Sequence, residues 1–241
     1  MNAFWINSSA YFGAGLCMGF GAIGAALGEG IIAGSASTGI SRQPAVSGEI
    51  LKMMLISQAV TESSAIFALV IAIFLLFQSF KGTTLTEAMA LISSGFCMGM
   101  GALGSGIGCG FPGAKACEAI SRNPKVSNKI MTAMLVGQAV DQTPTIFALF
   151  ISLLLLFMNF SAVVKFSIAM AVLSAGISMG FGAVGPGIGG GIAAGYAIEG
   201  IGKNKELSGI LLRTMLIGQA VSQSTSIYAM VISLVLLFVV K

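Results

Sequence analysis

The chain contains no histidine, and charged residues make up only 8% of its 241 positions. Without histidine, the four cysteines lack an imidazole partner for a common zinc site. We interpret them as small buried thiols rather than a disulfide framework: Cys17, Cys97, Cys109 and Cys117. The 12 basic and 8 acidic residues also give too little polar surface for a soluble domain of this length.

The sequence also lacks the two features that would indicate a phosphate-bearing ligand. It has no Gly-x-x-x-x-Gly-Lys-Ser/Thr loop of the kind that binds nucleotide phosphates. Its net charge of +4 does not come from a basic cluster of the kind that binds nucleic acid. We therefore expect neither a bound nucleotide nor a nucleic-acid partner.

Apolar residues dominate instead, at 56% of the chain with a mean hydropathy of +0.98. Six apolar stretches each exceed the roughly 20 residues that a helix needs to cross a bilayer. They lie near 11–40, 50–80, 87–120, 130–160, 164–200 and 209–240. The sequence thus predicts an all-α membrane protein with six transmembrane helices.

Three tandem units of about eighty residues account for these six helices. Five glycines keep the same spacing in every unit: Gly19, Gly21, Gly24, Gly28 and Gly30, then Gly99, Gly101, Gly104, Gly108 and Gly110, then Gly180, Gly182, Gly185, Gly189 and Gly191. We predict three helical hairpins, over residues 1–81, 82–162 and 163–241. Glycines four residues apart let membrane helices approach closely, so the first helices are predicted to pack in a tight inner circle rather than as ordinary pairs.

Basic residues predict the orientation of the hairpins. Nine of the twelve lie in or beside the loops within the units: Arg42, Lys52, Lys115, Arg122, Lys125, Lys129, Lys203, Lys205 and Arg213. The other three are Lys81, Lys165 and Lys241. By the positive-inside rule these loops face the cytoplasm and both termini face the opposite side.

Only the first unit keeps a carboxylate at one repeat position near the centre of its second helix, that of Glu62. Residues 58–64 read QAVTESS, whereas residues 138–144 read QAVDQTP and residues 219–225 read QAVSQST. Glu62 is therefore replaced by Gln142 and Gln223. A carboxylate deep in an apolar helix usually marks a path for ions or protons, so the sequence predicts one ion site for three hairpins.

A second acidic residue, Glu29, is expected at a depth similar to that of Glu62. Glu62 follows Pro44 by 18 residues and Glu29 precedes Arg42 by 13, so both fall deep in the bilayer at a rise of about 1.5 Å per residue. Two close carboxylates would share a proton or bind a cation. The later units have Cys109 and Gly190 where the first has Glu29.

Asp141 interrupts this pattern, because it precedes Gln142 and is turned about 100° around the helix from it. It is either a displaced ion site or, as we favour, a polar group satisfied by a neighbouring hairpin. The nearby Pro144 predicts a local kink in the fourth helix.

Together the glycine-rich helix, the loop Arg42-Gln43-Pro44 and the motif around Glu62 resemble the c subunit, or proteolipid, of rotary ATPases over almost the whole chain. The loop is similar to the F-type loop, and the loss of carboxylates is similar to V-type proteolipids. The resemblance implies a non-catalytic protein that forms a membrane ring with copies of itself, with or without other c subunits. Such a ring turns against a stator a subunit.

In that family the polar loops contact the central-stalk subunits. The corresponding residues here are Arg42, Gln43, Pro44, Arg122, Asn123, Pro124, Lys203 and Asn204. A membrane anchor alone is the other interpretation of the basic residues among them.

The resemblance is closest to the sodium-binding variant of the family. It implies a sodium ion held by Glu29, Glu62, Ser63 and the carbonyl of Val60, with Thr61 and Ser64 adding oxygen atoms nearby. It also allows ligands from an adjacent hairpin: Val140, Thr143, Val221 and Ser224. A tyrosine that often closes this site is Phe67 here, which leaves proton transport open, and the hydroxyls alternatively bond to their own helix.

One ion for three hairpins means that each ATP moves fewer ions, which favours ATP-driven pumping over synthesis. The implied location is a bacterial inner membrane, with the hairpin loops in the cytoplasm. A secondary cation transporter or a structural proteolipid are the alternatives. The parallel orientation of the three units argues against the first, and Glu62 argues against the second.

Overall fold

The computed structural model describes residues 3–78, 84–160 and 165–239, with side chains from Trp5 onward. Its long helices are α1 (Ala3–Arg42), α2 (Ser47–Phe77), α3 (Leu85–Arg122), α4 (Ser127–Asp141), α5 (Thr143–Phe157), α6 (Phe166–Lys203) and α7 (Ser208–Phe238). The predicted hairpin boundaries at 81/82 and 162/163, together with Lys81 and Lys241, lie outside the described residues. We use hairpin 1, 2 and 3 for α1–α2, α3–α5 and α6–α7.

The described residues form six spans that are long and apolar enough to cross a membrane, since α4 and α5 share one span. The prediction of six transmembrane helices is therefore confirmed. The shortest spans have 34 residues, which at about 1.5 Å per residue exceeds the roughly 30 Å hydrocarbon core. The helices thus extend beyond the apolar layer at their ends.

Each hairpin turns through a short 3-10 helix, at Pro44–Val46, Pro124–Val126 and Lys205–Leu207. In the first two hairpins proline occupies the start of this turn, where its missing N–H needs no partner. A basic residue lies in the last turn of each first helix, where the helix dipole favours a positive charge: Arg42, Arg122 and Lys203. The three predicted loops are confirmed as turns.

The fourth span is interrupted at Gln142. Helix α4 ends at Asp141, α5 begins at Thr143, and Pro144 occupies the first turn of α5. Proline cannot donate a helical hydrogen bond and crowds the preceding turn. The interruption therefore lies where the sequence predicts a kink, although the backbone of Gln142 itself keeps a helical conformation.

The first helices α1, α3 and α6 pack against one another through glycine, with α3 in the middle. At Gly104 a side-chain β-carbon would lie only 2.6 Å from Val184 Cα, and the backbones of Gly108 and Gly187 are in direct contact. Such approach is possible because glycine has no side chain. The second helices α2, α4, α5 and α7 lie along this row and present large apolar side chains outward, among them Leu55, Ile66, Phe150, Ile217 and Val231.

Candidate functional site

The structure brings the two acidic side chains of hairpin 1 together. Glu62 on α2 is exposed, and Glu29 on α1 is half-buried. The two carboxylates are close enough to interact electrostatically. The Gln58 amide nitrogen donates to the backbone carbonyl of Glu29 over 3.3 Å, which ties α2 to α1 at this depth.

The hydroxyls around Glu62 donate to their own helix. Thr61 Oγ1 donates to the Ser57 carbonyl at 2.9 Å, Ser63 Oγ to Val60 at 2.6 Å, and Ser64 Oγ to Thr61 at 2.9 Å. These hydrogen bonds within the helix are the alternative to ion binding that was considered from the sequence. A hydroxyl that donates in this way still has lone pairs on its oxygen for another partner.

A repeated hydrogen bond joins each hairpin to the one before it. Gln142 Nε2 donates to the Val60 carbonyl at 3.1 Å, and Gln223 Nε2 donates to the Val140 carbonyl at 2.6 Å. Both glutamines are buried, at 7% and 8% exposure. Glu62 occupies the same repeat position on hairpin 1 but is exposed, because no other described hairpin packs against this side of hairpin 1.

The remaining predicted ligands divide between two junctions and one open edge. The Val60 carbonyl accepts from Ser63 and from Gln142 at the junction between hairpins 1 and 2. The Val140 carbonyl accepts from Thr143 and Gln223 in the same way at the next junction. Val221 is 68% exposed on hairpin 3, and Ser224 Oγ donates to its carbonyl at 2.7 Å. Within one chain, none of these six residues lies on the open edge that carries Glu62.

A charged cluster near the loops links hairpins 2 and 3, and the local sequence pattern does not predict it. Lys115 Nζ lies 3.2 Å from a carboxylate oxygen of both Glu118 and Glu199, which come from α3 and α6. Arg122 pairs with Glu118 at 3.4 Å, and Lys203 with Glu199 at 2.7 Å. The signal was Lys115 itself, because a lysine within an apolar span needs a partner.

The predicted loop residues all lie at the same end of the molecule, in or beside the three turns. Asn123 Nδ2 reaches the Gly202 carbonyl at 3.5 Å, and Asn204 Oδ1 accepts from the Glu206 amide at 3.0 Å. Arg42, Arg122 and Lys203 are exposed. This end therefore presents basic and amide groups to the surroundings.

Asp141 lies completely buried against hairpin 3, at 0% exposure. Its carboxylate contacts Gly108 on α3 and Gly190 on α6, and Ser105 Oγ donates to its backbone carbonyl at 2.8 Å. Hairpin 3 covers the carboxylate at Gly190. No hydrogen bond of ordinary distance and angle reaches either carboxylate oxygen from the described residues, although the Cys109 thiol and the Gly191 backbone N–H lie beside them.

Comparison with known proteins gives a match in each hairpin. The family model for the ATP synthase C subunit matches residues 12–75, 92–155 and 173–236. The ATP synthase c subunit of Alkaliphilus oremlandii is 52% identical over 71 residues, which cover 30% of this chain and 80% of that protein.

Two further relatives are also c subunits of ATP synthases. The protein of Geobacter sulfurreducens is 46% identical over 85 residues, covering 35% of this chain and 93% of that protein. The protein of Petrotoga mobilis is 44% identical over 68 residues, covering 28% and 71%. About one third of this chain thus corresponds to most of each relative.

Proposed function

Because the chain belongs to the ATP synthase C-subunit family, we propose that it is a triple-hairpin rotor subunit whose copies close a membrane ring and carry one cation per chain. It is a non-catalytic membrane subunit with six spans. The proposal goes beyond family membership in three respects: the position of the ion site, the identity of the ion and the direction of coupling.

The observation that carries the proposal is the hydrogen bond from each glutamine to the preceding hairpin. Gln142 and Gln223 donate to valine carbonyls at the two junctions within the chain. Repetition of this geometry around a ring would set Glu62 opposite the exposed Val221 of a preceding copy. A carboxylate cannot donate as an amide does, so the carbonyl there is free to bind a cation together with the carboxylate.

The proposed site is therefore shared between two copies of the chain. One copy contributes Glu62 and Glu29, and the other contributes the Val221 carbonyl and the Ser224 hydroxyl. By the same geometry the carbonyls of Val60 and Val140 remain with their glutamines. This arrangement selects one pair from the ligands that the sequence predicted, and it gives one site for three hairpins.

Sodium is the proposed ion. A desolvated alkali cation needs several oxygen ligands, and the shared site offers two carboxylates, a carbonyl and a hydroxyl. One carboxylate would hold a proton, because two charges so close in a low-dielectric layer are unfavourable even beside one cation. Phe67 in place of a tyrosine removes one hydroxyl from the surroundings, and a proton is the other candidate ion.

A ring in which only one hairpin of three has the transport carboxylate, Glu62, would move few ions per turn. The energy of each ATP hydrolysed by partner subunits is then divided among fewer ions, so each ion can be moved against a larger gradient. Transfer of one charge costs about 2.3 kcal/mol per 100 mV. This ratio supports ATP-driven export rather than synthesis.

The proposed partners are a stator subunit in the membrane and central-stalk subunits at the three loops. The exposed basic ends at Arg42, Arg122 and Lys203 suit a soluble partner on the cytoplasmic side. The proposed location is a bacterial inner membrane. The mass of the isolated ring would show whether single-hairpin c subunits are also present.

Carbodiimide labelling of the purified ring across a sodium titration tests the proposal, with the modified residue identified by mass spectrometry. We expect labelling at Glu62, protection by sodium at fixed pH, and no labelling of this site in Glu62→Gln. Labelling that follows only pH would establish a proton rotor. Labelling of Glu62 to the same extent in dispersed single chains and in rings, with or without sodium, would contradict a site shared between copies.

A further inference from the structure

We propose that hairpins 2 and 3 enclose a second cation site, built on Asp141 and Gln219, which holds a monovalent alkali cation and takes no part in transport. This site lies inside one chain, whereas the proposed rotor site lies between copies. It concerns a carboxylate that the rotor mechanism leaves without a role.

Within the described ranges, the charge of Asp141 has no neighbouring positive charge to balance it. The residue is 0% exposed, and none of the ion pairs among the described residues includes it. The Cys109 thiol and the backbone N–H of Gly191 lie beside its carboxylate as donors, and neither has a positive charge. A buried carboxylate without a counter-charge is very unfavourable, so this group needs a cation or a proton.

Hairpins 2 and 3 also contain buried acceptor oxygens that have no donor among the described residues. Five buried side-chain oxygens lack a hydrogen-bond partner in the described part of the chain: Gln138 Oε1, Asp141 Oδ1, Asp141 Oδ2, Gln142 Oε1 and Gln219 Oε1. All belong to hairpins 2 and 3. Three of these oxygens belong to Asp141 and Gln219, which meet at Gly190. A proton on Asp141 would supply them with a single donor, whereas a cation binds several oxygens at once.

Rotation of the glutamine amides would not remove this excess, because their nitrogens already have acceptors. Gln138 Nε2 donates to Ser57 Oγ at 2.8 Å and to the Cys109 carbonyl at 2.9 Å. Gln142 Nε2 donates to Val60 and Gln219 Nε2 to Gly137, at 3.1 and 2.8 Å. Exchange of nitrogen and oxygen would set each amide oxygen against a backbone carbonyl oxygen, that of Cys109, Val60 or Gly137.

Asp141 and Gln219 both lie beside one glycine, Gly190. Asp141 Oδ1 contacts Gly190, and Gln219 Cγ lies 3.8 Å from the position that a β-carbon on Gly190 would occupy. Gln219 is also bonded to the carbonyl of Gly137, one helical turn before Asp141. The other two hairpins have larger residues at the position of Gly190, namely Glu29 and Cys109, so only hairpin 3 leaves this space for the carboxylate.

The donor set indicates the class of ion. Carboxylate and amide oxygens are hard ligands, which suit alkali and alkaline-earth cations rather than soft metals. With one carboxylate, a monovalent ion gives a neutral site, whereas a divalent ion would leave a net positive charge buried in the membrane. A cation enclosed at a fully buried position has no access to a stator and would remain bound during rotation.

The test uses rings of the Glu62→Gln chain, in which the rotor carboxylate is absent. Rings purified in sodium are transferred to sodium-free buffer, and bound sodium is measured by elemental analysis. We expect one sodium per chain in Glu62→Gln and none in the matched double variant Glu62→Gln/Asp141→Asn. Both variants lack Glu62, so the rotor site does not contribute to the sodium that is measured.

Absence of sodium from assembled Glu62→Gln rings would overturn the proposal. Infrared spectra of the same rings would then show whether Asp141 is a neutral carboxylic acid, as a band lost in Asp141→Asn. Retention of sodium in the double variant would also contradict the assignment to Asp141. If Asp141→Asn fails to assemble, Asp141→Ser replaces it, because hairpin 3 has Ser222 at this position.

Discussion

The side-chain amide of Gln223 donates to the backbone carbonyl of Val140 over 2.6 Å, from one hairpin to the one before it. Gln142 makes the corresponding bond to Val60 at 3.1 Å. Replacement of a carboxylate by glutamine in hairpins 2 and 3 therefore does more than remove a charge. It supplies an N–H donor that closes the junction with a neutral contact.

Restoration of a carboxylate at such a junction should reverse this effect. In Gln142→Glu the bond to Val60 is lost and a buried charge is introduced, so we expect a loss of about 1–3 kcal/mol of stability in the absence of a bound cation. Sodium should recover part of that loss by binding the new carboxylate. Thermal unfolding of the ring with and without sodium measures the effect. Gln142→Met, which cannot bind a cation, is the control and should show no recovery.

The converse substitution, Glu62→Gln, should abolish ion transport and preserve the ring. The new amide would donate to the Val221 carbonyl of the preceding copy, as Gln142 and Gln223 do within the chain. Sodium uptake by vesicles that contain the complete complex should fall to background, while native gels show normal ring assembly. Glu62→Leu lacks the donor and should assemble less well, and equal assembly of the two variants would count against the shared site.

The close approach of α3 and α6 gives a third prediction. An alanine at Gly104 would place its β-carbon 2.6 Å from Val184 Cα, so the helices must move apart. We expect Gly104→Ala to destabilise the chain by about 1–3 kcal/mol. Thermal unfolding of the dispersed chain in detergent would measure this loss.

Gly185 is the matched control, because it occupies the same repeat position and a β-carbon there would meet nothing within 4 Å. Gly185→Ala should leave the dispersed chain as stable as before. In a closed ring, however, this position would face the first helix of the next copy, and assembly should fail. Normal rings from Gly185→Ala would argue against the proposed contact between copies.

The ion pair between Lys115 and Glu199 gives a fourth prediction. The side chains are 30% and 19% exposed, so solvent screens their attraction and its contribution should be about 0.2–1 kcal/mol. A double-mutant cycle with Lys115→Met and Glu199→Gln, read by thermal unfolding, measures this coupling. Lys203→Met is the control, because it removes an ion pair of Glu199 within α6 and leaves the ion pair between α3 and α6 in place. A coupling that is unchanged in high salt would contradict the screened interaction.

The sequence predicted the features that depend on local pattern. The six spans follow from apolar stretches, the turns from Pro44 and Pro124, and the break at Gln142 from Pro144. It could not assign each ligand to a side of the hairpin. Spacing placed Val60 and Ser63 near Glu62 along the chain, but the order in which hairpins pack sets them against Gln142 instead.

Contacts between hairpins were also beyond the sequence. The pairing of Lys115 with Glu199 joins residues 84 positions apart, and nothing in either local sequence identifies the partner. Similarly, Asp141 could be recognised as unusual, but its contact with Gly190 depends on the depth at which α4 and α6 meet.

The exposed position of Glu62 has a consequence for the time before assembly. In the proposed arrangement a single chain carries the two halves of its rotor site on opposite edges, with Glu62 on hairpin 1 and Val221 on hairpin 3. A newly inserted chain therefore has no complete path for ions and cannot dissipate the membrane gradient. Ion binding and ring closure are thermodynamically linked, so the transported ion would also stabilise the assembled ring.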